Sequence, residues 1–65
     1  MKADKKKLVL AMARACMNTA DVVKKTGMPE ATVKNVISGR SVTPRTFGKL
    51  AHGLGVDPGD IIEEA

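Results

Sequence analysis

The feature that most constrains this chain is a repeated stop-and-start signal made of glycine and proline. A glycine followed closely by a proline occurs at residues 27–29, 39–44 and 55–58. Glycine readily adopts the positive φ that ends many helices, and proline suits a first helical turn, where its missing N–H would have no partner. The signal therefore predicts short helices joined by tight turns. The valines do not alternate strictly with polar residues, so no β-hairpin is predicted.

These boundaries predict five helices, over about residues 4–16, 19–26, 29–38, 44–54 and 58–64. Asp4, Thr19 and Thr43 are the predicted N-caps of the first, second and fourth, because their side-chain oxygens can accept from free amides. Apolar residues at helical spacing give each segment an inner face. The main inner residues are Leu8, Met12, Ala15, Cys16, Val22, Val23, Val33, Val36, Ile37, Phe47, Leu50, Ala51 and Leu54. We expect an all-α fold, a compact five-helix orthogonal bundle in a single domain over residues 1–65.

Positive charge is concentrated in the first part of the chain. Residues 1–49 hold all eleven Lys and Arg against three acids, a charge of +8, whereas residues 50–65 hold four acids and no Lys or Arg, a charge of −4. Such a distribution favours binding of a polyanion through the basic part. Since Phe47 is the single aromatic residue, the chain has little to stack on unpaired bases, and duplex DNA is the better candidate.

Other classes of protein fit the composition poorly. Cys16 and His52 are the single cysteine and histidine, which excludes an internal disulfide and the usual zinc sites. We expect Cys16 in the core and His52 at the surface, with no metal, cofactor or small-molecule ligand. A chain of 65 residues has little room for an enclosed catalytic pocket, so no enzyme is predicted. No apolar run approaches the ~20 residues of a membrane span, and we expect a cytoplasmic, nucleoid-associated protein of bacterial or phage type.

Residues 19–38 carry the pattern that indicates a function. A short helix, a turn at Gly27 and a second helix with a polar outer face are typical of a helix-turn-helix, whose second helix enters the DNA major groove. Carboxylate, amide, ammonium and methyl groups can each read a different base edge there. The expected base-contacting residues are Glu30, Ala31, Thr32, Lys34 and Asn35. The alternative is a merely solvated polar face, and Glu30 also suits a helix N-terminus electrostatically, so its role stays open.

The chain resembles the Xre/Cro family of phage-repressor-like DNA-binding domains over nearly its whole length. The resemblance continues past the two motif helices through Gly39 and residues 43–51, then Leu54-Gly55-Val56-Asp57. It implies a lambda-repressor-like domain of five helices in which the helix after Gly27 reads bases. It also implies phosphate contacts, which we expect from Thr19, Ala20, Ser38, Arg40 and Arg45. Thr19 serves equally well as a plain N-cap.

Four positions depart from the family pattern. Val23 stands where the family prefers Ala, and Pro29 replaces a hydroxyl residue that would contact a phosphate. The family often pairs an Arg on the first helix with a Glu near the end of the recognition helix, but Met12 and Ile37 occupy these positions. An apolar pair can replace a buried ion pair without loss of stability, so we expect Met12 and Ile37 to touch.

The function predicted from the sequence is a sequence-specific regulator of transcription that binds double-stranded DNA. It would act as a repressor by occupying its operator, and as a homodimer on a pseudo-palindrome. Its dimer contacts are expected at Val56, Ile61 and Ile62. Two alternatives stay open. One is a protein-interaction module, such as an antitoxin or the regulatory partner of a larger protein, that uses the acidic C-terminal end. The other is a non-specific DNA binder.

Overall fold

A computed structural model describes residues 1–64, and its secondary structure is helical. The four α-helices are α1 (Lys5–Arg14), α2 (Thr19–Thr26), α3 (Glu30–Ile37) and α4 (Pro44–Leu54). The all-helical class is therefore confirmed. The predicted fifth helix is wrong, because Pro58–Asp60 form only a single 3-10 turn. After this turn the chain pairs with its own N-terminal segment.

Two of the predicted N-caps form as expected. The Asp4 carboxylate accepts a hydrogen bond of 3.0 Å from the Lys7 N–H at the start of α1. The Thr43 hydroxyl accepts one of 3.3 Å from the Thr46 N–H at the start of α4. Both caps satisfy amides that have no partner within the helix. The boundaries of these two helices therefore follow from local side-chain chemistry.

The cap of α2 differs from the prediction. Asn18, not Thr19, is the N-cap residue, and its side chain accepts from the Asp21 N–H at 2.9 Å. The Asp21 carboxylate in turn accepts from the Asn18 N–H at 2.9 Å, which completes a capping box. Asn18 competes better than Thr19 because Asp21 stands three residues after it. Thr19 is consequently the first helical residue of α2.

The end of α1 also differs from the prediction. The helix stops at Arg14, and Cys16 takes a positive φ of 57°, a conformation that glycine adopts at the ends of α2 and α4. The Met17 N–H donates to the Met12 carbonyl at 2.9 Å, and this bond closes the turn around Cys16. The expectation of a core position is wrong, since Cys16 is exposed. The left-handed turn carries its side chain off the inner stripe of α1.

The core draws on all four helices and on both ends of the chain. Phe47, Leu50 and Ala51 of α4 are buried, as their spacing predicts. The remaining buried residues are Ala3, Leu8, Ala11, Met12, Val22, Met28, Val33, Val36, Leu54 and Ile61. Ile37 is partly buried and packs against this core, to which Met12 belongs. Their direct contact stays a prediction.

An antiparallel bridge joins the two ends of the chain, and the sequence pattern did not indicate it. Ala3 lies opposite Ile62, and backbone hydrogen bonds of 2.8 and 2.9 Å flank this pair. On its other side the N-terminal segment pairs with the α3–α4 loop, where the Val42 N–H donates to the Met1 carbonyl at 2.8 Å. Ile61 is 0% exposed, so the expectation of an exposed isoleucine there is wrong. The bridge turns its side chain into the core.

Candidate nucleic-acid interface

The turn between α2 and α3 is held by hydrogen bonds within its own sequence. Gly27 ends α2 with φ 70°, as predicted. The Thr26 hydroxyl donates to the Val22 carbonyl at 2.7 Å and accepts from the Met28 N–H at 3.2 Å. Met28 and Val22 are both buried, which anchors each side of the turn in the core. The direction of α3 relative to α2 is therefore defined locally.

The outer face of α3 is polar and accessible. Val33 and Val36 point into the core with 0% exposure, which leaves the opposite face of α3 to solvent. Glu30, Ala31 and Lys34 are exposed, as is Ser38 directly after the helix, while Thr32 and Asn35 are half-buried. Residues at i and i+4 lie above one another on a helix. The expected base-contacting side chains except Thr32 therefore form one stripe, and Thr32 lies to its side.

An ion pair lies within this stripe. The Glu30 Oε1 atom is 3.8 Å from the Lys34 Nζ atom, at i and i+4 on α3. Both side chains are about two-thirds exposed, so the pair contributes little to stability. The Glu30 carboxylate partly offsets the positive charge of Lys34. The carboxylate is thus placed where it can orient the lysine or accept from a base.

The expected phosphate-contacting residues lie before and after α3 in the chain. Ala20 is exposed and Thr19 half-buried at the start of α2, where the first amides of a helix have no internal partner. Because Asn18 caps this helix, the Thr19 hydroxyl is not used as the cap. Arg40 and Arg45 are exposed on the loop after α3 and the first turn of α4. Each of the two groups therefore offers donors of the kind that bind phosphate.

The end of α3 is rigid because its last carbonyls are satisfied. The Arg40 N–H donates to the Asn35 carbonyl at 3.0 Å, and the Gly39 N–H donates to the Val36 carbonyl at 3.1 Å. The Ser38 hydroxyl also donates to the Asn35 carbonyl, at 3.0 Å. These bonds fix the backbone position of Arg40 directly after α3.

A family model described as the Cro/C1-type HTH DNA-binding domain matches residues 7–63. The chain belongs to this family. The resemblance seen in the sequence is thereby confirmed. No curated protein and no solved structure matches the chain.

The departures of this Cro/C1-type domain from its family leave the packing intact. Val23 is half-buried against the core, so the larger side chain is accommodated. Pro29 is the N-cap residue of α3 and makes no side-chain cap hydrogen bond. Met12 is buried and Ile37 half-buried at the positions of the family's ion pair. Apolar side chains thus occupy the positions of the family's ion pair.

Lys5 and Lys6, at the start of α1, lie close to the end of α3. Lys5 and Lys6 line an open groove together with Ser38, Gly39 and the acidic Asp4 and Glu63. A Cβ atom on Gly39 would lie 3.4 Å from the Lys5 Cε atom. This proximity depends on the pairing of the chain ends, for which no local sequence signal exists. The two carboxylates offset the lysine charges, so the groove is less basic than its lysines suggest.

A functional site can also consist of a metal-binding cluster or lie on a membrane-spanning helix. Within residues 1–64, no group of three or more His, Cys, Asp or Glu side chains is arranged to hold a metal ion. None of the helices in this part of the chain has the length and apolar character needed to cross a membrane.

Proposed function

We propose that this chain is a sequence-specific regulator of transcription that binds double-stranded DNA and represses by occupying its operator. The observation that carries the proposal is the exposed polar stripe of α3, formed by Glu30, Ala31, Lys34 and Asn35, in a Cro/C1-type domain. The stripe combines carboxylate, methyl, ammonium and amide groups, each of which prefers a different base edge. In this proposal residues 1–65 act as one DNA-binding domain on the nucleoid, without catalysis.

Phosphate contacts would fix the register of α3 in the groove. The first turn of α2 supplies Thr19 and the Ala20 N–H, and the other side of α3 supplies Arg40 and Arg45, with Ser38 between them and the stripe. Such contacts position a protein on the duplex without reading sequence. The charge of +8 on residues 1–49 supplies long-range attraction to the same surface.

The proposed regulator binds as a homodimer to two half-sites about one helical turn (~34 Å) apart. Of the expected dimer contacts, Val56 and Ile62 are half-buried and still reach the surface. Ile61 is enclosed in the core of its own chain, so a partner does not reach its side chain. The dimer proposed from the sequence therefore has a smaller apolar contact than expected.

A selection from random duplex DNA at near-physiological salt tests the proposal. We expect enrichment of one pseudo-palindromic sequence. Binding without enrichment, with a steep dependence on salt, would favour the non-specific alternative. Absence of binding would favour the protein-interaction module, whose contact would use the exposed acids Asp57, Asp60, Glu63 and Glu64.

Variants tested on the selected DNA sequence distinguish side chains that read bases from side chains that only position the protein on the duplex. Asn35→Ala should relax the preference at one base pair, at a cost of about 1–3 kcal/mol for the preferred sequence. Arg45→Ala should weaken all sequences alike and lower the salt slope by about 1. Lys24→Ala is the matched control, because Lys24 lies on α2 beside Cys16 and Met17, away from the α3 stripe. An equal loss with Lys24→Ala would contradict the assignment.

A double variant separates the regulator from the protein-interaction module. Arg40→Ala with Arg45→Ala should abolish operator binding, since both cations of the α3–α4 connection are removed. A contact made through the acidic end should survive this change. Survival of operator binding would contradict the role assigned to the two arginines.

A further inference from the structure

Helix α1 presents apolar side chains to solvent as well as to the core. Leu8 and Met12 face inward, whereas Val9 is 56% and Leu10 50% exposed. Val9, Leu10 and Ala13 line a shallow surface groove with Lys5 and Lys6 at one end. We call these five residues the α1 face. Val9, Leu10 and Ala13 therefore form a small exposed apolar patch with a basic edge.

The α1 face is basic and has an acidic neighbour. The ten residues of α1 include four basic side chains and no acidic one. Glu63 lines a groove together with Lys5 and Lys6, and the Glu64 Oε1 atom lies 3.8 Å from the Lys7 Nζ atom. A basic, apolar patch thus lies directly beside an acidic one on the same side of the molecule.

Two complementary patches that lie side by side become self-complementary under a two-fold rotation. The apolar residues then lie on the two-fold axis, and the acidic patch of each copy meets the lysines of its partner, so that this contact forms twice. We propose that the α1 face is where a second copy of this chain binds. Val9, Leu10 and Ala13 pack against the same residues of the partner, and Lys6 pairs with the partner's Glu63.

The charges favour a second copy over a foreign acidic protein. An acidic partner would be attracted to Lys5 and Lys6 but repelled by Glu63 and Glu64, which flank them. A second copy brings both signs of charge in the matching arrangement. The other candidate surface is less suited, because Ile61 is enclosed and Ile62 is bridged to Ala3.

The dimer should be weak in solution. Three apolar side chains and their charged rim cover less than the ~800 Å² per partner of a standard interface. The α1 face also adjoins the end of α3 through the contact of Lys5 with Gly39. The proposal rests on the proposed function, since it names the surface through which the DNA-bound dimer forms.

Sedimentation equilibrium over a series of protein concentrations tests the surface. The wild type should shift from 6.9 kDa towards twice that mass as concentration rises. Val9→Thr with Leu10→Gln should stay at 6.9 kDa and keep its fold, because both side chains are at least half exposed. Val56→Thr probes the other surface, expected from the sequence, and should associate as the wild type does. Lys24→Ala, at an exposed position of α2 outside both surfaces, is the control. A wild type that stays monomeric, or an α1 variant that still associates, would overturn the proposal.

A charge exchange tests the pairing within the interface. Lys6→Glu alone should weaken association, because it places two carboxylates opposite each other. Lys6→Glu combined with Glu63→Lys should restore it. Failure of the second change to restore association would overturn the arrangement.

Binding to an isolated half-site distinguishes a failure of this proposal from a failure of the proposed function. The α1 variant should bind one half-site as the wild type does and lose only the additional affinity for two. A wild type that binds no duplex while still forming the dimer would overturn the regulator but not the α1 face. If the α1 variant lost half-site binding while the wild type kept it, the α1 face would act in DNA binding as well as in dimer formation. That result would contradict the proposal.

Discussion

The helix-turn-helix and the paired chain ends are built in different ways. Around α2 and α3, the hydrogen bonds that define direction link residues no more than five positions apart, such as Asn18 with Asp21 and Arg40 with Asn35. At the chain ends, Ala3 pairs with Ile62 and Met1 with Val42. Local bonds form wherever the local sequence allows them, whereas the end pairing exists only once the bundle has formed. The α2–α3 unit is thus encoded locally, and its surroundings depend on the whole fold.

The largest expected effect is at the chain ends. Ile61→Ala removes a side chain that is 0% exposed and leaves a cavity, so it should cost about 2–5 kcal/mol of stability. Ile62→Ala, at a half-buried position, is the control and should cost much less. Urea unfolding of both variants measures the difference. An equal loss of unfolding free energy in the two variants would mean that both isoleucines lie in the same environment. It would contradict the assignment of Ile61 to the core and of Ile62 to a position nearer the surface.

The second expected effect concerns the crossing of α2 and α4. An added Cβ atom at Gly53 would collide with Thr26 Cγ2, and Thr26 is held by its hydrogen bonds at the α2–α3 turn. Gly53→Ala should therefore destabilise the domain by about 1–3 kcal/mol. Gly48 lies on the same helix with nothing near its added Cβ, so Gly48→Ala should stabilise by about 0.5–1 kcal/mol.

Thermal unfolding of the two glycine variants measures this difference. Opposite signs are expected, although both changes raise helix propensity equally. A stabilising Gly53→Ala would show that α2 and α4 separate without cost. It would also remove the constraint that ties the turn of the motif to α4.

Much of the motif was predictable because its signals are short in range. The glycine turn at Gly27 and the cap at Thr43 depend on neighbouring residues, and both form as predicted. The inner residues of α3 and α4 follow helical spacing in the same way. The exposed stripe of α3 could be predicted for the same reason, since the face opposite a buried one is available to a ligand.

The features that the sequence did not predict depend on competition between neighbouring residues or on contacts between distant parts of the chain. Asn18 and Thr19 are both good caps, and only the position of Asp21 favours Asn18. Cys16 lies at helical spacing from Met12, but α1 ends at Arg14 and Cys16 itself adopts a left-handed backbone conformation. The burial of Ile61 needs a partner segment from the other end of the chain. No pattern within a window of one helix contains that information.

The smallest expected effect separates capping from DNA contact at the start of α2. Asn18→Ala removes the capping box and should cost about 1 kcal/mol of stability. Thr19→Ala should leave stability nearly unchanged, because Thr19 is not the cap, and should weaken DNA binding alone if its hydroxyl contacts a phosphate. Thermal unfolding and operator titration of both variants measure the two effects, with Asp21→Ala as the control that removes the reciprocal half of the box. A loss of stability confined to Thr19→Ala would assign the cap to Thr19 and remove its hydroxyl from the proposed DNA contact.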